Sequence, residues 1–303
     1  MRTWRGTAVA LVRACHPAPA LLVTVLAAAW AVGIGSSGRT IVLVTLAVLT
    51  GQLSVGWSND WLDAGRDAVT GRADKPTVAG LVTAGLLRWS ALVAVVLCVG
   101  LSLATGWVAG LVHLVTVACG WAYNAGVKAT AWSWLPYAVA FGVLPLFVVL
   151  AGFPRAGVPV WLMVATALLG VGAHVANTLP DLGDDRRTGV RGLPHRLGRR
   201  ASSVLAPVVL TAAVVVVAVG PGAVGGPAGV SEPGSAGGPG VLGGPGGPMR
   251  WVAVVAAVGG AAAAGIVGWR RPHSRAPFTL SMLVAAICVL LLVLAGAGTV
   301  DVS

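Results

Sequence analysis

The sequence predicts an all-α, polytopic membrane protein with about nine transmembrane helices. Of the 303 residues, 57% are hydrophobic and only 10% are charged, and the mean hydropathy is +0.89. Soluble domains carry about 25% charged residues. About nine apolar segments also approach the roughly 20 residues that a helix needs to cross a bilayer. Together these observations indicate a chain that lies mostly in lipid.

The predicted spans follow one another along the whole chain. The third and fourth are joined by a very short turn at Thr105-Gly106, which predicts a tight antiparallel pair. In chain order, the spans are predicted near 18–36, 40–57, 88–105, 107–124, 134–153, 158–176, 201–220, 251–268 and 277–298.

The basic residues predict the orientation of these spans. The N-terminal tail and the loops after spans two, four, six and eight lie on one side and carry seventeen of the 20 Lys and Arg residues. The opposite side carries Arg39, Arg155 and Arg250. Loops rich in Lys and Arg face the cytoplasm. We therefore expect a multi-pass protein of the inner (plasma) membrane with a cytoplasmic N-terminus. The first apolar segment is interpreted as a span, because it is long for a signal peptide and lacks a clear cleavage site.

The remaining composition predicts one domain over 1–303 and excludes several kinds of site. Residues 220–249 are mostly Gly and Pro and are expected to form a disordered extracytoplasmic loop within that domain. The four cysteines lie in or beside apolar segments without C-x-x-C spacing, so they indicate core positions and no disulfide framework or zinc site. The net charge of +11 follows the membrane loops, so no nucleic-acid partner is expected.

Carboxylates are concentrated in two runs that share the pattern N-x-x-x-D-x-x-x-D. The chain has nine acidic residues, and seven of them lie in or just after these runs. On a helix, each run would place its polar side chains within an arc of about 100°. Pro180 is expected to distort the second run, because it removes an intrahelical donor. The first run contains Asn59, Asp60, Asp63 and Asp67, and the second contains Asn177, Asp181, Asp184 and Asp185.

This pattern predicts a site for a hard divalent cation at the cytoplasmic rim. Several carboxylates on one helix face repel one another, and a divalent ion relieves that repulsion. Oxygen ligands without histidine or cysteine favour Mg²⁺, which is usually shared between one or two carboxylates and substrate phosphates. The predicted metal ligands are Asn59, Asp60, Asp63, Asp67, Asp181, Asp184 and Asp185.

Basic residues beside the two runs predict that the ligand is a diphosphate. Lys128 lies at the cytoplasmic end of span four, and Arg72 and Lys75 follow the first acidic run. Metal ions would bridge the phosphate oxygens while these cations neutralise the charge on the departing group. The basic residues predicted to bind the diphosphate are Arg72, Lys75, Lys128 and Arg186. His174 and Asn177 are candidates to line the cavity, and His195 is expected to be solvated.

Three segments resemble the UbiA superfamily of intramembrane prenyltransferases. The run NDWLDAGRDAVTGRADKP (59–76) resembles the family's first aspartate motif with its basic-Pro element. NTLPDLGDDRRTGVRGLP (177–194) resembles the second motif and its basic loop. YNAGVK (123–128) with SWLPY (133–137) resembles the segment after the fourth span, although the tyrosine and lysine are five residues apart, where the family often has four. The resemblance covers all but the Gly/Pro insert.

The resemblance implies a helical bundle around a central cavity and a diphosphate held by two Mg²⁺ ions between the motifs. Asn59, Asp63 and Asp67 would serve one ion, and Asp181 and Asp185 would serve the other. In the YNAGVK motif, Tyr123, Asn124 and Lys128 would bind the diphosphate. Asp63, Asp67, Asp181, Asp185 and Lys128 are accordingly the predicted catalytic residues.

The predicted reaction transfers a prenyl group from a polyprenyl diphosphate to a lipophilic acceptor. Loss of diphosphate generates an allylic carbocation, and an apolar cavity protects it from water. An aromatic acceptor, as in 4-hydroxybenzoate polyprenyltransferases, is the first expectation. One alternative is a membrane terpene cyclase, which traps the carbocation internally. Another is an ion-coupled secondary transporter, which would instead place its carboxylates near the membrane midplane.

Overall fold

A computed structural model of the protein describes residues 4–73, 75–223, 248–271 and 276–296, with the backbone alone for 4–5, 184, 221–223, 248–250 and 292–296. Every regular element in these ranges is helical. Twelve helices are present in them: α1 (Trp4–Ala14), α2 (Pro17–Gly33), α3 (Gly38–Thr70), α4 (Ala84–Ala104), α5 (Trp107–Ala125), α6 (Leu135–Gly152), α7 (Val160–Thr178), α8 (Leu182–Arg187), α9 (Leu193–Leu197), α10 (Arg199–Ala223), α11 (Pro248–Arg270) and α12 (Ala276–Gly296).

Each of the nine predicted spans coincides with one helix: α2 to α7 and α10 to α12. Seven of the described helices are long and apolar enough to cross a membrane, and α1 with α2 would form an eighth span that is bent by 67°. The described apolar part of α12, Ala276–Leu291, is shorter. The prediction of an all-α polytopic fold is confirmed.

The helix α1 is absent from the predicted spans. Its eleven residues are too few to cross a bilayer, and Arg13 lies in its last turn. It meets α2 at an elbow centred on His16, a non-glycine residue in the left-handed region (φ 54°, ψ 67°). A search for long apolar segments does not detect a short helix of this kind.

The helix α3 is much longer than the predicted span 40–57. It begins after Ser37, whose hydroxyl accepts a hydrogen bond from the amide of Thr40 at 3.2 Å. It ends at Gly71, which adopts φ 66° as glycine readily does at a helix C-terminus. Its 33 residues would span about 50 Å, against about 30 Å of bilayer hydrocarbon. The last turns, which carry the first acidic run, can therefore extend to the membrane rim.

Small residues let neighbouring helices approach closely. At the predicted tight turn between α4 and α5, Gly106 adopts φ 123°, and a Cβ on Gly110 would lie 2.6 Å from the Ser102 carbonyl oxygen. A Cβ on Gly170 of α7 would lie 2.6 Å from the carbonyl oxygen of Tyr137 on α6. Such contacts are typical of helices in membranes. The hydrophobic effect does not drive helices together in lipid, so association depends on the close packing that small residues allow.

The second acidic run is broken between two helices. The helix α7 ends at Thr178, Pro180 follows, and α8 begins at Leu182. The predicted distortion at Pro180 is therefore found. Asn177 lies on the last turn of α7, whereas Asp185 lies on α8, so the continuous helical face expected for this run is not formed.

Most of the insert predicted at 220–249 lies outside the described residues, which resume at Pro248 after Ala223. Asp74, which follows the first acidic run in the sequence, also lies outside them.

Candidate active site

The first acidic run lies on the inward face of α3. Asp60, Asp63 and Asp67 are 1%, 9% and 7% exposed, and Asn59 is half-buried. Because these carboxylates share one helix face, as predicted, their charges must be compensated by partners from other elements.

Lys128 and Arg66 compensate Asp63. The Nζ of Lys128 donates to both carboxylate oxygens of Asp63, at 2.6 and 2.7 Å, and lies 3.3 Å from the Oδ1 of Asn59. Arg66 approaches Oδ1 of Asp63 at 2.7 Å from one turn further along α3. The motif after α5 is thereby joined to the first acidic run through Lys128.

Lys128 is placed by the short 3-10 turn Val127–Ala129 that follows α5. Its side chain is buried, and this burial lowers the pKa of the ammonium group, while the adjacent Asp63 and the charge of Asp185 oppose that shift. The ammonium group therefore lies within electrostatic reach of both acidic runs.

Asp60 has its own partners. Its Oδ1 accepts hydrogen bonds from Nζ of Lys75 at 2.7 Å and from Nε2 of His16 at 2.9 Å. Lys75 was predicted to bind diphosphate, and here its ammonium group neutralises a buried carboxylate.

Asp67 differs from both of its neighbours. Its Oδ2 is buried and has no hydrogen-bond partner. A buried carboxylate oxygen without a partner is unfavourable unless a cation or a donor binds it. This oxygen fits the requirement of a hard metal ion for a free carboxylate ligand.

The two acidic runs meet at one end of the helix bundle. Nη1 of Arg72, in the loop after α3, lies 3.4 Å from Oδ2 of Asp181, which precedes α8. Asp185 approaches Nε2 of His195 at 3.2 Å. The Arg72–Asp181 contact brings the loop that follows the first run against the second run.

In the second run and its loop, one prediction is wrong, that for His195, and one predicted side chain, that of Asp184, is not described. His195 is only 6% exposed and contacts Asp185, so the prediction that it is solvated is wrong. The helix α9 buries its ring against the site, which the polar composition of the loop does not reveal. The side chain of Asp184 lies outside the described residues.

Ser133 joins the loops that frame the site. Its hydroxyl contacts Nε2 of His174 at 3.1 Å and accepts a hydrogen bond from the amide of Leu193 at 2.9 Å. A Cβ on Gly192 would lie 2.6 Å from the carbonyl oxygen of Lys128, so the two loops pack backbone against backbone. Ser133 thus holds the Lys128 segment and the basic loop together.

The other predicted ligand-binding residues occupy varied environments. Tyr123 packs edge-on against Tyr137, with ring centroids 5.1 Å apart, and against His174 at 5.6 Å. Asn124 donates to the carbonyl of Val55 and to the Ser58 hydroxyl, both at 2.8 Å, which attaches α5 to α3. Arg186 and Asn177 are exposed, and one guanidinium nitrogen of Arg186 donates to the carbonyl of His195 at 2.6 Å.

Sequence reasoning missed His16 and Ser133 as members of this cluster. Ser133 begins the SWLPY segment that carries part of the resemblance, but nothing in the sequence predicted a contact for its hydroxyl. His16 could have been suspected from its place beside Pro17 in an otherwise apolar segment.

No three His, Cys, Asp or Glu side chains in the described ranges converge closely enough to hold a metal ion by themselves. The oxygen-only donors, the unpartnered Oδ2 of Asp67 and the surrounding cations nevertheless suit a metal ion that takes further ligands from a phosphate.

Comparisons with known proteins agree with this architecture. The sequence matches the UbiA prenyltransferase family over residues 20–287. The bacteriochlorophyll synthase 33 kDa chain of Cereibacter sphaeroides is 37% identical over 186 residues, which cover 56% of this chain. The match spans 59% of that relative, less than two thirds of its length.

Three solved structures share the fold. A UbiA homologue from Archaeoglobus fulgidus bound to GPP and Mg²⁺ superposes with a TM-score of 0.65 at 14% identity, covering 93% of this chain and 98% of that one. A UbiA homologue from Aeropyrum pernix K1 gives 0.63 at 19% identity, covering 89% and 95%. A digeranylgeranylglyceryl phosphate synthase gives 0.61 at 16% identity, covering 96% and 97%. At these identities the likeness concerns the fold alone.

Proposed function

This chain belongs to the UbiA prenyltransferase family, and on that premise we propose that it transfers a prenyl group from a polyprenyl diphosphate to a lipophilic acceptor in a Mg²⁺-dependent reaction. The observation that carries the proposal is the contact of Arg72, in the loop that follows the first acidic run, with Asp181 of the second run. A single diphosphate can be held between the runs, while its hydrocarbon chain lies among the helices.

The metal ions would be held by oxygen ligands from both runs. Asn59, Asp63 and Asp67 are suited to one ion, and Asp181 and Asp185 to a second. The partnerless Oδ2 of Asp67 is the strongest indication, because binding a cation would offset its burial. When bound, Mg²⁺ supplies charge neutralisation on the diphosphate oxygens and makes diphosphate a better leaving group.

The protein's own cations would bind and orient the diphosphate. Lys128 and Arg66 both contact Asp63, and Arg72 contacts Asp181, so each cation lies beside a proposed metal ligand. Their ammonium and guanidinium groups can donate to phosphate oxygens as negative charge develops on the leaving group. Lys128, which is buried, is the proposed principal donor.

The helix bundle would protect the reacting carbon from water. The aromatic rings of Tyr123, Tyr137 and Phe141 lie in series from the site side of α5 along α6, with Tyr137 and Phe141 stacked at 6.4 Å. Aromatic and aliphatic walls exclude water, which would otherwise quench an allylic carbocation.

We propose an aromatic or otherwise conjugated acceptor. The relative named as a bacteriochlorophyll synthase chain supports including a bacteriochlorin among the candidates, beside 4-hydroxybenzoate. The placement of the site on the side that carries seventeen of the 20 basic residues supports a cytoplasmic active site in the plasma membrane.

The decisive experiment is product analysis with purified protein in lipid nanodiscs. Mg²⁺ and geranyl, farnesyl or longer diphosphates are supplied with a panel of aromatic and bacteriochlorin acceptors, and products are identified by mass spectrometry. We expect a prenylated acceptor that requires both Mg²⁺ and the acceptor, and that disappears with Asp181→Ala. A cyclised hydrocarbon formed without an acceptor would identify a terpene cyclase instead. Ion-coupled uptake into vesicles without diphosphate release would identify a transporter.

A further inference from the structure

The feature that the proposed function leaves unused is the contact of Asp60 with the elbow between α1 and α2. Asp60 is the second residue of the first acidic run and is only 1% exposed. Its Oδ1 accepts hydrogen bonds from Nζ of Lys75 at 2.7 Å, from Nε2 of His16 at 2.9 Å and from Nδ2 of Asn59 at 3.4 Å. These contacts turn Asp60 towards the elbow between α1 and α2, whereas Asp63 contacts Lys128 on the turn after α5.

His16 reaches Asp60 from an unusual backbone conformation. Among the described residues it is the only non-glycine with positive φ, and it lies where α1 and α2 meet at 67°. A left-handed conformation is unfavourable for a residue with a Cβ and persists when surrounding contacts determine it. The bond to Asp60 is one such contact.

The whole elbow lies closely against α3, one turn before the first acidic run. A Cβ on Gly56 would overlap the carbonyl group of Cys15, so the two backbones are in contact. Nε1 of Trp57 donates to the carbonyl of Leu11 at 2.9 Å. The imidazole of His16 therefore comes from an element that is itself attached to α3.

Lys75 connects this contact to the second acidic run. Its amide donates to the carbonyl of Arg72 at 3.0 Å, so the two residues close one turn. Arg72 in turn lies 3.4 Å from Asp181. Holding Lys75 at Asp60 consequently holds the Arg72 guanidinium near Asp181.

We propose that His16, Asp60 and Lys75 are positioning residues that hold the Arg72 turn at the site, and that Asp60 is not a metal ligand. The expected effect on KM for the prenyl diphosphate rests on the proposed function, whereas the expected effect on the conformation of the Arg72 turn does not. Asp60 then differs from Asp63 and Asp67 in role although all three lie in one motif. The contact with His16 also gives the helix α1 a part in shaping the diphosphate site.

The first test measures the Arg72 turn in the ligand-free, full-length protein. Trypsin can cut after Arg72, whereas Pro76 protects the bond after Lys75. Asp60→Asn and His16→Gln should each raise the rate of cleavage at the bond between Arg72 and Ala73 by about fivefold or more, because a turn that opens more often is cut faster. Cys15→Ala, which alters the same elbow without touching the Asp60 contacts, should match the wild type.

The second test separates positioning from metal binding. With saturating inorganic diphosphate, the Mg²⁺ dependence of the melting temperature should be the same for His16→Gln and Asp60→Asn as for the wild type. For Asp63→Asn it should be weakened at least about tenfold. In turnover assays, His16→Gln should raise KM for the prenyl diphosphate several-fold and leave KM for the acceptor within about twofold.

Unchanged cleavage after Arg72 in both variants would overturn the positioning role. A loss of Mg²⁺ affinity in Asp60→Asn as large as that in Asp63→Asn would make Asp60 a metal ligand. If Asp60→Asn does not fold, the cleavage and KM tests are made with His16→Gln alone. If the wild type transfers no prenyl group, the proposed function fails while the cleavage test still decides the role of the network.

Discussion

At the scale of single residues, three aspartates on one helix face have three different environments. Asp63 is neutralised by Lys128 and Arg66, Asp60 is neutralised by Lys75 and hydrogen-bonded by His16, and Asp67 has an oxygen without a partner. A shared motif therefore does not imply a shared role. The environment of each carboxylate decides whether its removal affects folding, metal binding or both.

Asp67→Asn should lose activity without losing stability. Its unpartnered, buried Oδ2 costs free energy in the absence of a cation, so removing the charge should leave the melting temperature unchanged or raise it. Turnover should fall at least about a hundredfold. Asp63→Asn is the matched control, because it leaves the buried Lys128 without its carboxylate and should lower the melting temperature. Equal destabilisation in both variants would contradict this difference.

Lys128→Met should reduce kcat by about 10²- to 10³-fold, the loss expected when one donor to a developing negative charge is removed. The methionine has a similar length and keeps the apolar packing, so the protein should still fold. Lys128→Arg should recover part of the rate, since it restores the positive charge. Single-turnover measurements of diphosphate release check the step, and a change in KM for the acceptor alone would place Lys128 elsewhere in the reaction.

At the scale of elements, close helix contacts position the groups on which the site depends. The helices α6 and α7 carry Tyr137 and His174, whose rings lie 4.8 Å apart, and they meet at Gly170. The helix α3 extends past its predicted span and carries the first acidic run towards α8.

Gly170→Ala should destabilise the protein by about 1–3 kcal/mol, because the new methyl group would meet the carbonyl of Tyr137 at 2.6 Å and backbone cannot yield easily. Thermal unfolding in detergent measures the effect as a lower melting temperature. Gly100→Ala on α4 is the control. No heavy atom would lie within 4 Å of that added Cβ, so this variant should be as stable as the wild type or slightly more so. An equal loss in both variants would rule out the proposed helix contact as the cause.

At the scale of the whole molecule, the acidic runs, Lys128 and the basic loops lie on one side of the bundle. The segment between α6 and α7, with Arg155, belongs to the other side by the predicted topology. The asymmetry of charge is what orients such a bundle in a membrane.

Cysteine labelling in intact cells can test this orientation. In a variant without the four native cysteines, Arg155→Cys should react with a membrane-impermeant maleimide, and Arg191→Cys should react only after the membrane is permeabilised. Both positions are exposed, so a difference in labelling reports sidedness and not burial. Labelling of Arg191→Cys in intact cells would reverse the topology.

Patterns along the chain predicted the spans, the two acidic runs and the break at Pro180, because each depends on neighbours in sequence. They did not predict α1, which is short, or the burial of His195, which depends on the packing of α9. The Mg²⁺ ligand set remains a prediction for Asn59, Asp63, Asp67, Asp181 and Asp185.

The sequence alone determined that this chain is a helical membrane protein with two carboxylate motifs on one side, because hydropathy, charge bias and helical period are local properties. Only the tertiary structure decided which cation meets which carboxylate. Lys128 reaches Asp63 across 65 positions, and Arg72 reaches Asp181 across 109. Such pairings follow from how the helices pack, because several nearby basic residues, most of them arginines, could equally neutralise a given carboxylate.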